Sequence, residues 1–309
     1  MKKLFLLISA LLIAGLYTNA QRVGSSPEYI ITLTSEWKGE RLADGRPFVS
    51  DAILERLKSV SMEEAWSVLR RVGFNDQYEG NWTIIHPENV MTGRVVTAQY
   101  MPLRPDLEKV VKTQGVEKEG RSSRGGTNSW PIDVLTTGDV YVADGYGKIV
   151  DGTLIGDNLG NSIYANSQRG VVFNGSVRDQ EGLEKIDGFN AWIKGSDPSA
   201  INRMMLTSIN RPIRIGRATV LPGDVVLAKE YGVIFIPAYL VENLVKSAEI
   251  TALRDEFGHQ RLIEKKYLPG QIDTKWTEDI NNDFWGWLDN YDGKLYLSVE
   301  EIKEYLENR

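Results

Sequence analysis

Apolar and polar positions change their spacing along the chain, and the changes predict where strands and helices lie. Between Thr136 and Glu249, short runs rich in Val, Ile and aromatic residues alternate with glycine-rich turns and helical stretches. Apolar runs of this length indicate buried strands, whereas spacings of three and four residues indicate helices. Strands and helices mixed within one compact region predict a layered α/β domain.

The predicted elements follow one another with short connections. Strands are expected at 94–101, 170–174, 189–194, 213–221, 225–229 and 233–236, and a further strand lies within 138–147. Helices are expected at 50–73, 154–168, 180–186 and 239–256. Ser61 and Glu64 form a capping-box pattern in the first of these helices, and Gly73 suits its C-terminal end.

The ends of the chain differ in composition from this region, which indicates four segments. We expect a signal peptide at 1–20, an N-terminal arm with helices at 21–85, the α/β domain at 86–256 and a C-terminal extension at 257–309. The polar stretch 23–46 is interpreted as an arm lying on the surface. The charged, Gly/Ser-rich stretch 109–130 is typical of a flexible surface insertion.

The C-terminal extension is rich in aromatic residues. They are Tyr267, Trp276, Phe284, Trp285, Trp287, Tyr291 and Tyr296. We expect them to pack the extension onto the main domain or onto a neighbouring subunit, and an aromatic surface that faces carbohydrate is the alternative. Ser298 and Glu301 form a second capping pair, which predicts a final helix.

The first twenty residues have the pattern of an export signal. Lys2 and Lys3 precede an almost unbroken apolar stretch at 4–16, and 18–20 (TNA) offers small residues at a cleavage site. The apolar stretch is short for a membrane span, so no stable membrane anchor is expected; an uncleaved anchor is the alternative. Cleavage near Ala20 would place the mature protein in the periplasm or outside the cell.

Composition narrows the chemistry that the chain can perform. Two of the 36 Lys and Arg residues lie in the export signal, so 34 remain against 42 Asp and Glu, a mature charge of about −8. This acidity argues against nucleic acid as a partner. The absence of Cys excludes disulfides and thiolate chemistry, and two histidines are too few for a multi-histidine metal site. Carboxylates, Arg, Lys and backbone amides must therefore supply any chemistry.

Three glycine-containing clusters can bring such groups together. The first, at 138–147, delivers Asp144 into a glycine-rich turn, although such a turn alone is a weak signal. The second, GDNLG at 156–160, lies near a helix start, where free amides and the helix dipole favour a bound carboxylate. The third, GSVRD at 175–179, follows a buried strand, at the edge where open α/β sheets bind ligands.

Arg178 and Asp179, taken alone, are more typical of a surface ion pair with little energetic effect than of a functional site. Their separation in sequence from the second cluster makes a functional site the better interpretation. Twenty residues separate Asp157 from Arg178. This is the length of one helix plus one strand, which can return the chain to the same edge of the sheet.

Asp157, twenty intervening residues and then Arg178-Asp179 match the Asp-x20-Arg-Asp signature of the 4-hydroxy-4-methyl-2-oxoglutarate aldolases. The surrounding sequence resembles the core of the RraA-like family. The segments that carry the resemblance are GDVYVADGYG, IGDNLGNSIYANSQRGVVFNGSVRD and LPGDVVLAKEYGVIFIP. That family also includes regulator of ribonuclease activity A. The resemblance covers 86–250 and is strongest at 138–179. It implies a layered α/β/α domain of the swivelling type, assembled as a ring-like homotrimer or a hexamer.

The resemblance also implies roles for individual residues. Asp179 would be the direct ligand of a divalent metal, Mg²⁺ or Mn²⁺. Asp157 would hold a water molecule of the metal's coordination shell and assist proton transfer. Arg178 would pair with the substrate's carboxylate or developing enolate. The amides of Asn158 and Leu159 would bind the pyruvyl carboxylate.

Asp144 and Glu181 are additional candidates for the site. The family usually has an acidic residue three positions after the aspartate of the Arg-Asp pair, whereas this chain has Gly182 there and Glu181 one position earlier. The family's site also takes an acidic residue from a neighbouring subunit. Glu242 and Glu249 are the candidates for that residue here.

The leading interpretation is a metal-dependent lyase that cleaves or decarboxylates a small-molecule 2-keto acid through a pyruvate enolate, of the aldolase or oxaloacetate decarboxylase type. The main alternative is a non-catalytic member of the same fold that binds proteins as a regulator or scaffold. A Schiff-base aldolase that uses Lys148 or Lys194 is a third hypothesis. A demethylmenaquinone methyltransferase label, which family members have carried, finds no support, because the turn at 144–147 lacks the spacing of a nucleotide-cofactor loop.

Overall fold

The computed structural model describes residues 22–307. The predicted signal peptide and its cleavage site near Ala20 lie outside these residues. Within 22–307, no helix combines the length and the apolar composition that crossing a membrane requires.

Nine strands of the described chain form one mixed sheet, and two more form a separate hairpin. In chain order they are β1 (Tyr78–Glu79), β2 (Thr83–Ile85), β3 (Met91–Pro102), β4 (Asp139–Asp144), β5 (Val171–Val177), β6 (Ala191–Ser196), β7 (Met204–Ile209), β8 (Ile213–Ile215), β9 (Ala218–Val220), β10 (Val225–Lys229) and β11 (Gly232–Ile236). The large sheet has the order β1-β11-β10-β3-β4-β5-β6-β2, and β7 also pairs with β3. Strands β3 to β6 are parallel neighbours, so their C-terminal ends meet at one edge.

The described chain also contains ten α-helices. They are α1 (Pro27–Leu33), α2 (Asp51–Leu57), α3 (Met62–Arg71), α4 (Pro105–Thr113), α5 (Asp157–Ser167), α6 (Gln180–Leu183), α7 (Ala238–Ile263), α8 (Pro269–Ile272), α9 (Glu278–Leu288) and α10 (Val299–Glu307). Helix α5 connects the parallel strands β4 and β5, as a βαβ unit requires. The predicted N-cap of α3 is confirmed, because Ser61 Oγ accepts the amide of Glu64 at 3.0 Å.

The two faces of the large sheet are covered differently. One face packs against α5 and α6 and, farther along the sheet, against α2, α3 and α7. Alternate residues of the same strands point to the other face, where they pack against the hairpin of β8 and β9. The predicted α/β fold is confirmed. One layer differs from the α/β/α arrangement that the resemblance implied, because the β8–β9 hairpin covers the face where helices were expected.

The hairpin arises from a turn that the apolar pattern did not reveal. The stretch 213–221 was predicted as one strand, but Gly216 adopts φ +56 and reverses the chain. A left-handed backbone is readily available to glycine. Antiparallel pairing of Ile213 with Val220 follows, and the apolar residues of both short strands are buried against the sheet.

Helix α7 joins the domain to the C-terminal extension. Its first half contributes Val241 and Leu244 to the core beneath β10 and β11. Phe257, in its second half, lies 5.2 Å from the ring of Trp276 and 5.5 Å from that of Phe284, measured between ring centroids. The extension therefore packs onto the continuation of α7. Its final helix has the predicted cap: the amide of Ser298 donates to Glu301 Oε2 at 2.8 Å, and the amide of Glu301 donates to Ser298 Oγ at 3.2 Å.

Two segments expected to lie loosely on the surface are anchored instead. At the end of the predicted N-terminal arm, the buried Arg46 guanidinium donates to both carboxylate oxygens of Asp139 at 2.9 Å. The stretch 109–130 is largely helical, and Trp130 is buried against Gly115. Both expectations rested on local polarity, which contains no information about distant partners.

Candidate functional site

The two halves of the Asp-x20-Arg-Asp signature meet because the chain before α5 runs beside the end of β5. Thr153 forms a parallel bridge with Ser176. The amide of Leu154 donates to the carbonyl of Ser176 at 2.8 Å, and the amide of Arg178 donates to the carbonyl of Ile155 at 2.9 Å. This short pairing extends the sheet by a few residues and places Gly156-Asp157 next to Arg178-Asp179.

Gly156 lies directly against the Asp179 carboxylate. A Cβ added at position 156 would stand 2.3 Å from Asp179 Oδ2 and 3.1 Å from Arg178 Nε. The first distance is a clash, and the second is tighter than ordinary van der Waals contact. The glycine therefore creates the space that the carboxylate of Asp179 occupies.

Asp179 has an unusual backbone and an accessible carboxylate. Its φ of +54 lies in the left-handed region, which Asp tolerates better than most residues. Its side chain is 47% exposed, and Oδ2 lies 3.5 Å from Arg178 Nε. Strained backbones persist where the surrounding structure holds them, and they cluster at functional sites. Here the strain directs a charged group toward open space.

Asp157 is the first residue of α5, with Gly156 as the N-cap. Its Oδ1 accepts the amide of Asn158 at 2.7 Å, so in this structure that amide is already bonded. The amide of Leu159 belongs to the same first turn, where N–H groups have no partner within the helix. On its other side, Asp157 packs against Gly182, because a Cβ there would stand 2.9 Å from Asp157 Oδ2.

Two neighbouring depressions share Asp157, Arg178 and Asp179 as lining residues. The larger one, here called the outer basin, has a volume of about 710 Å³ and is also lined by Gln180, Glu181, Gly182, Lys185, Ser196, Asp197 and Pro198. The smaller one, here called the inner recess, has a volume of about 80 Å³ and is also lined by Asn128, Thr153, Leu154, Ile155, Gly156, Asn158, Leu159, Ala200 and Ile201. The structure thus brings all three signature residues, Asn158, Leu159 and Glu181 to one place.

Asn128 is a site residue that the sequence did not indicate. It lies in a 3₁₀ turn (Thr127–Ser129) of the stretch interpreted as an insertion. Its Nδ2 donates to the carbonyl of Leu154 at 2.7 Å, which fixes the chain beside the inner recess. The sequence signal that could have indicated an ordered segment was the neighbouring Trp130, because a tryptophan is often buried. In the structure Trp130 is buried and anchors this turn.

Asp144 is not among the residues that line either depression. Its Oδ1 accepts the amide of Tyr146 at 2.9 Å and Nδ2 of Asn174 at 2.8 Å, and its Oδ2 accepts Nε2 of Gln99 at 3.0 Å. These bonds tie together the ends of β3, β4 and β5. These hydrogen bonds indicate a structural role for Asp144.

Two other groups considered from the sequence are also engaged elsewhere. Lys194 donates to the carbonyls of Gly80 and Asn81 at 3.3 and 3.2 Å, and its Nζ lies 3.7 Å from the centre of the Trp82 ring. Burial lowers the pKa of Lys194, yet these contacts place it outside the basin and the recess. Glu249 forms a bidentate ion pair with Arg56 at 2.8 and 2.6 Å.

The charges of the outer basin suit a divalent cation. Asp157, Asp179, Glu181 and Asp197 oppose Arg178 and Lys185, which leaves a formal charge of −2. Hydrogen bonds from the hydroxyl and amide of Ser199 lower the pKa of Asp197, so it is charged at neutral pH. No group of three or more His, Asp or Glu within 22–307 could enclose a metal ion. Mg²⁺ does not need such an enclosure, because it binds through one or two carboxylates and keeps waters.

Comparisons with known proteins find relatives over part of the chain. The chain is 28% identical over 165 residues to protein DlpA of Legionella pneumophila, covering 53% of this chain but only 24% of DlpA. It is 30% identical over 154 residues to a Stutzerimonas stutzeri protein provisionally named as a 4-hydroxy-4-methyl-2-oxoglutarate aldolase, covering 46% of this chain and 94% of that one.

Among solved structures, Streptomyces coelicolor RraAS2 superposes with a TM-score of 0.59 at 25% identity, over 69% of this chain and all of that one. RraAS2 is described as an unusual member of the RNase ES inhibitor RraA protein family. The family model for RraA-like proteins, described as Aldolase/RraA, matches residues 47–235. This range includes the large sheet up to Phe235 and every residue of the signature, and the chain therefore belongs to the RraA-like family.

Proposed function

We propose that this protein is a divalent-metal-dependent carbon–carbon lyase that acts on a 2-keto acid. The observation that carries the proposal is the placement of the Asp179 carboxylate on the bare Cα of Gly156, beside Arg178 and Asp157. A protein-binding scaffold would have no need for this arrangement. The relative named as an aldolase supports the same reaction class.

Asp179 would hold the metal, Mg²⁺ or Mn²⁺, with Asp157 beside it. When bound there, the cation supplies an electrophile that polarises a 2-keto oxygen and stabilises negative charge developing next to it. The net negative charge of the residues that line the basin would repel an anionic substrate, so a divalent cation would also be needed for binding.

The other residues would bind and orient the substrate and move its protons. The first-turn amides of α5, at Asn158 and Leu159, would receive the carboxylate next to the keto group. Because Asp157 Oδ1 accepts the Asn158 amide in this structure, that bond would have to exchange on binding. Arg178 would pair with negative charge on the substrate.

For 4-hydroxy-4-methyl-2-oxoglutarate, the reaction breaks the bond between C3 and C4. The proton of the C4 hydroxyl leaves, its oxygen becomes a keto oxygen, and the electron pair of the broken bond passes to C3. Asp157 would move that proton. Protonation of C3 then gives pyruvate, and the other fragment is also pyruvate. The same stabilised charge would allow oxaloacetate to lose its C4 carboxylate as carbon dioxide.

Assembly and location belong to the same proposal. We expect a homotrimer or hexamer in which a neighbouring subunit adds an acidic residue to the basin. Glu242 is the more accessible of the two candidates, since Glu249 is paired with Arg56. Export, which residues 1–20 predict, would place the activity in the periplasm or outside the cell.

The test is pyruvate release by the purified full-length mature protein. Coupled assays with 4-hydroxy-4-methyl-2-oxoglutarate and with oxaloacetate would be run with Mg²⁺, with Mn²⁺ and after EDTA treatment. The proposal expects turnover that EDTA abolishes and metal restores. A folded oligomer that releases pyruvate from neither substrate would contradict it and favour the regulator or scaffold interpretation.

A further inference from the structure

The outer basin contains a cationic side chain that the proposed chemistry does not use. Three of its charged residues, Asp157, Arg178 and Asp179, already have roles there. Lys185 also lines the basin and is exposed. Within residues 22–307 it has no ion-pair partner, unlike Arg178.

The backbone holds Lys185 at the edge of the basin. Its amide donates to the carbonyl of Gly182 at 3.3 Å, immediately after α6. Leu183 and Ile186, on either side of it, are buried in the core below. A Cβ at Gly160 of α5 would stand 2.2 Å from Leu183 Cδ2, which shows how closely the two helices pack. The Lys185 stem therefore starts from a fixed point, and only its side chain is free to move.

Two carboxylates near Lys185 have other partners: Asp197 lines the same basin, and Glu184 precedes Lys185 in the chain. Asp197 accepts the amide of Ser199 at 2.9 Å and also the Ser199 hydroxyl. Glu184 accepts Nε2 of Gln180 at 2.8 Å. Lys185 thus has an ammonium group without an ion-pair partner within residues 22–307. Apart from Arg178, it is the one basic residue among those that line the outer basin.

The sizes of the two depressions suit different parts of a substrate. The inner recess, at about 80 Å³ and next to the first turn of α5, has room for a small keto-acid unit. The outer basin, at about 710 Å³, has room for everything beyond the reacting bond. The signature residues line both depressions, whereas Lys185 lines only the outer basin, so Lys185 would face only the outer part of a substrate.

We propose that Lys185 binds a carboxylate that the substrate carries beyond the bond that breaks, and that it makes the protein selective for such dicarboxylates. This inference rests on the proposed lyase function. In 4-hydroxy-4-methyl-2-oxoglutarate the carboxylate in question is attached to C4. Replacing it by hydrogen gives 4-hydroxy-2-oxopentanoate, which breaks the same bond and releases pyruvate and acetaldehyde.

The two substrates form a matched pair for the test. Steady-state kinetics would be measured on both with the full-length mature protein and with Lys185→Met and Lys185→Arg. Lys275→Met, an exposed lysine in the extension, is the control for loss of one surface charge. The circular-dichroism spectrum and the Mn²⁺ affinity of every variant report whether the fold and the metal site are intact. Oxaloacetate also carries a carboxylate beyond its breaking bond, so its decarboxylation should follow the dicarboxylate substrate.

An exposed ammonium–carboxylate pair contributes modestly, so we expect kcat/KM of Lys185→Met on the dicarboxylate to fall roughly twofold to fivefold. The fall should appear in KM, and 4-hydroxy-2-oxopentanoate should be unaffected. Lys185→Arg should retain most of the selectivity, and Lys275→Met all of it.

Equal effects of Lys185→Met on both substrates, or no effect on either, would overturn the assignment of Lys185 while leaving the lyase function standing. An unmodified protein that releases pyruvate from none of the three substrates would instead overturn the lyase function itself. The two failures are therefore distinguishable.

Discussion

The backbone amide of Arg178 donates a hydrogen bond to the carbonyl of Ile155 at 2.9 Å. This bond joins the two halves of the signature, since Asp157 lies two residues after its acceptor and Asp179 one residue after its donor. A backbone pairing at the edge of the sheet, rather than flexible side chains, holds the site together. Substitutions of small residues in this pairing should therefore disturb the chemistry more than the fold.

Gly156→Ala tests the space for the Asp179 carboxylate. The new Cβ would stand 2.3 Å from Asp179 Oδ2, so the carboxylate must move. We expect Mn²⁺ affinity, measured by isothermal titration calorimetry, to fall by a factor on the order of 10–100. Gly286→Ala in α9 is the matched control, because nothing lies within 4 Å of its new Cβ. Metal affinity in Gly156→Ala equal to that of the control would show that Asp179 does not hold the metal.

Gly182→Ala tests the role of Asp157 separately. Its Cβ would stand 2.7 Å from Asp157 Cβ and would push that side chain, and the three atoms nearest to it all belong to Asp157. We expect kcat to fall by a factor on the order of 10–100, because a displaced acid–base group loses its alignment. Mn²⁺ affinity should fall much less than in Gly156→Ala. A variant that loses metal affinity and keeps kcat would reverse the roles assigned to the two aspartates.

Asn128→Asp tests whether the stretch 109–130 belongs to the site. Asp cannot donate to the carbonyl of Leu154, and it adds negative charge beside the recess expected to receive a carboxylate. We expect KM for 2-keto acids to rise about tenfold. Asn128→Ala, which removes the hydrogen bond without adding charge, should raise KM less. Unchanged KM values in both variants would return Asn128 to a purely structural role.

Asp224 should make stability depend on pH in an unusual direction. Burial raises its pKa to about 7, although the amide of Leu221 donates to its carboxylate at 2.8 Å. Because the folded pKa lies above the unfolded value, this group stabilises most below about pH 4, and the contribution is lost as pH rises toward 7. The loss amounts to at most about 4 kcal/mol.

The measurement is the free energy of unfolding by urea between pH 4 and 8, compared between the unmodified protein and Asp224→Asn. Asn can still accept the Leu221 amide and does not ionise. We expect the free energy of unfolding of Asp224→Asn to increase relative to that of the unmodified protein as pH rises. A difference independent of pH would contradict a raised pKa for Asp224.

Local patterns predicted those parts of the fold that local physics determines. The alternation of apolar runs located the central strands, and Ser298 with Glu301 located the last helix, because caps and buried strands have short-range signatures. Buried partners far apart in sequence left no such trace. The pairing of Arg46 with Asp139, 93 residues away, is the clearest case, since Arg46 alone is typical of an exposed loop.

The candidate site shows the same division. The family signature identified the residues that meet at the end of β5, and spacing made their approach plausible. Spacing could not reveal that Gly182 lies against Asp157, since only the packing of α6 on α5 brings them together. Asn128 was missed because its segment is rich in Gly and Ser, and the buried Trp130 that anchors it resembles any isolated aromatic residue in a loop.

The central claim is that Asp179 holds a divalent metal on which turnover depends, and Asp179→Asn tests it most directly. Asn keeps the shape, suits the left-handed backbone at this position and removes the charge. Mn²⁺ titration and pyruvate release would be measured on the same preparation. We expect Mn²⁺ binding to be lost and kcat/KM to fall by at least about 100-fold, with the fold retained. Metal-dependent turnover within about threefold of the unmodified protein would contradict the account.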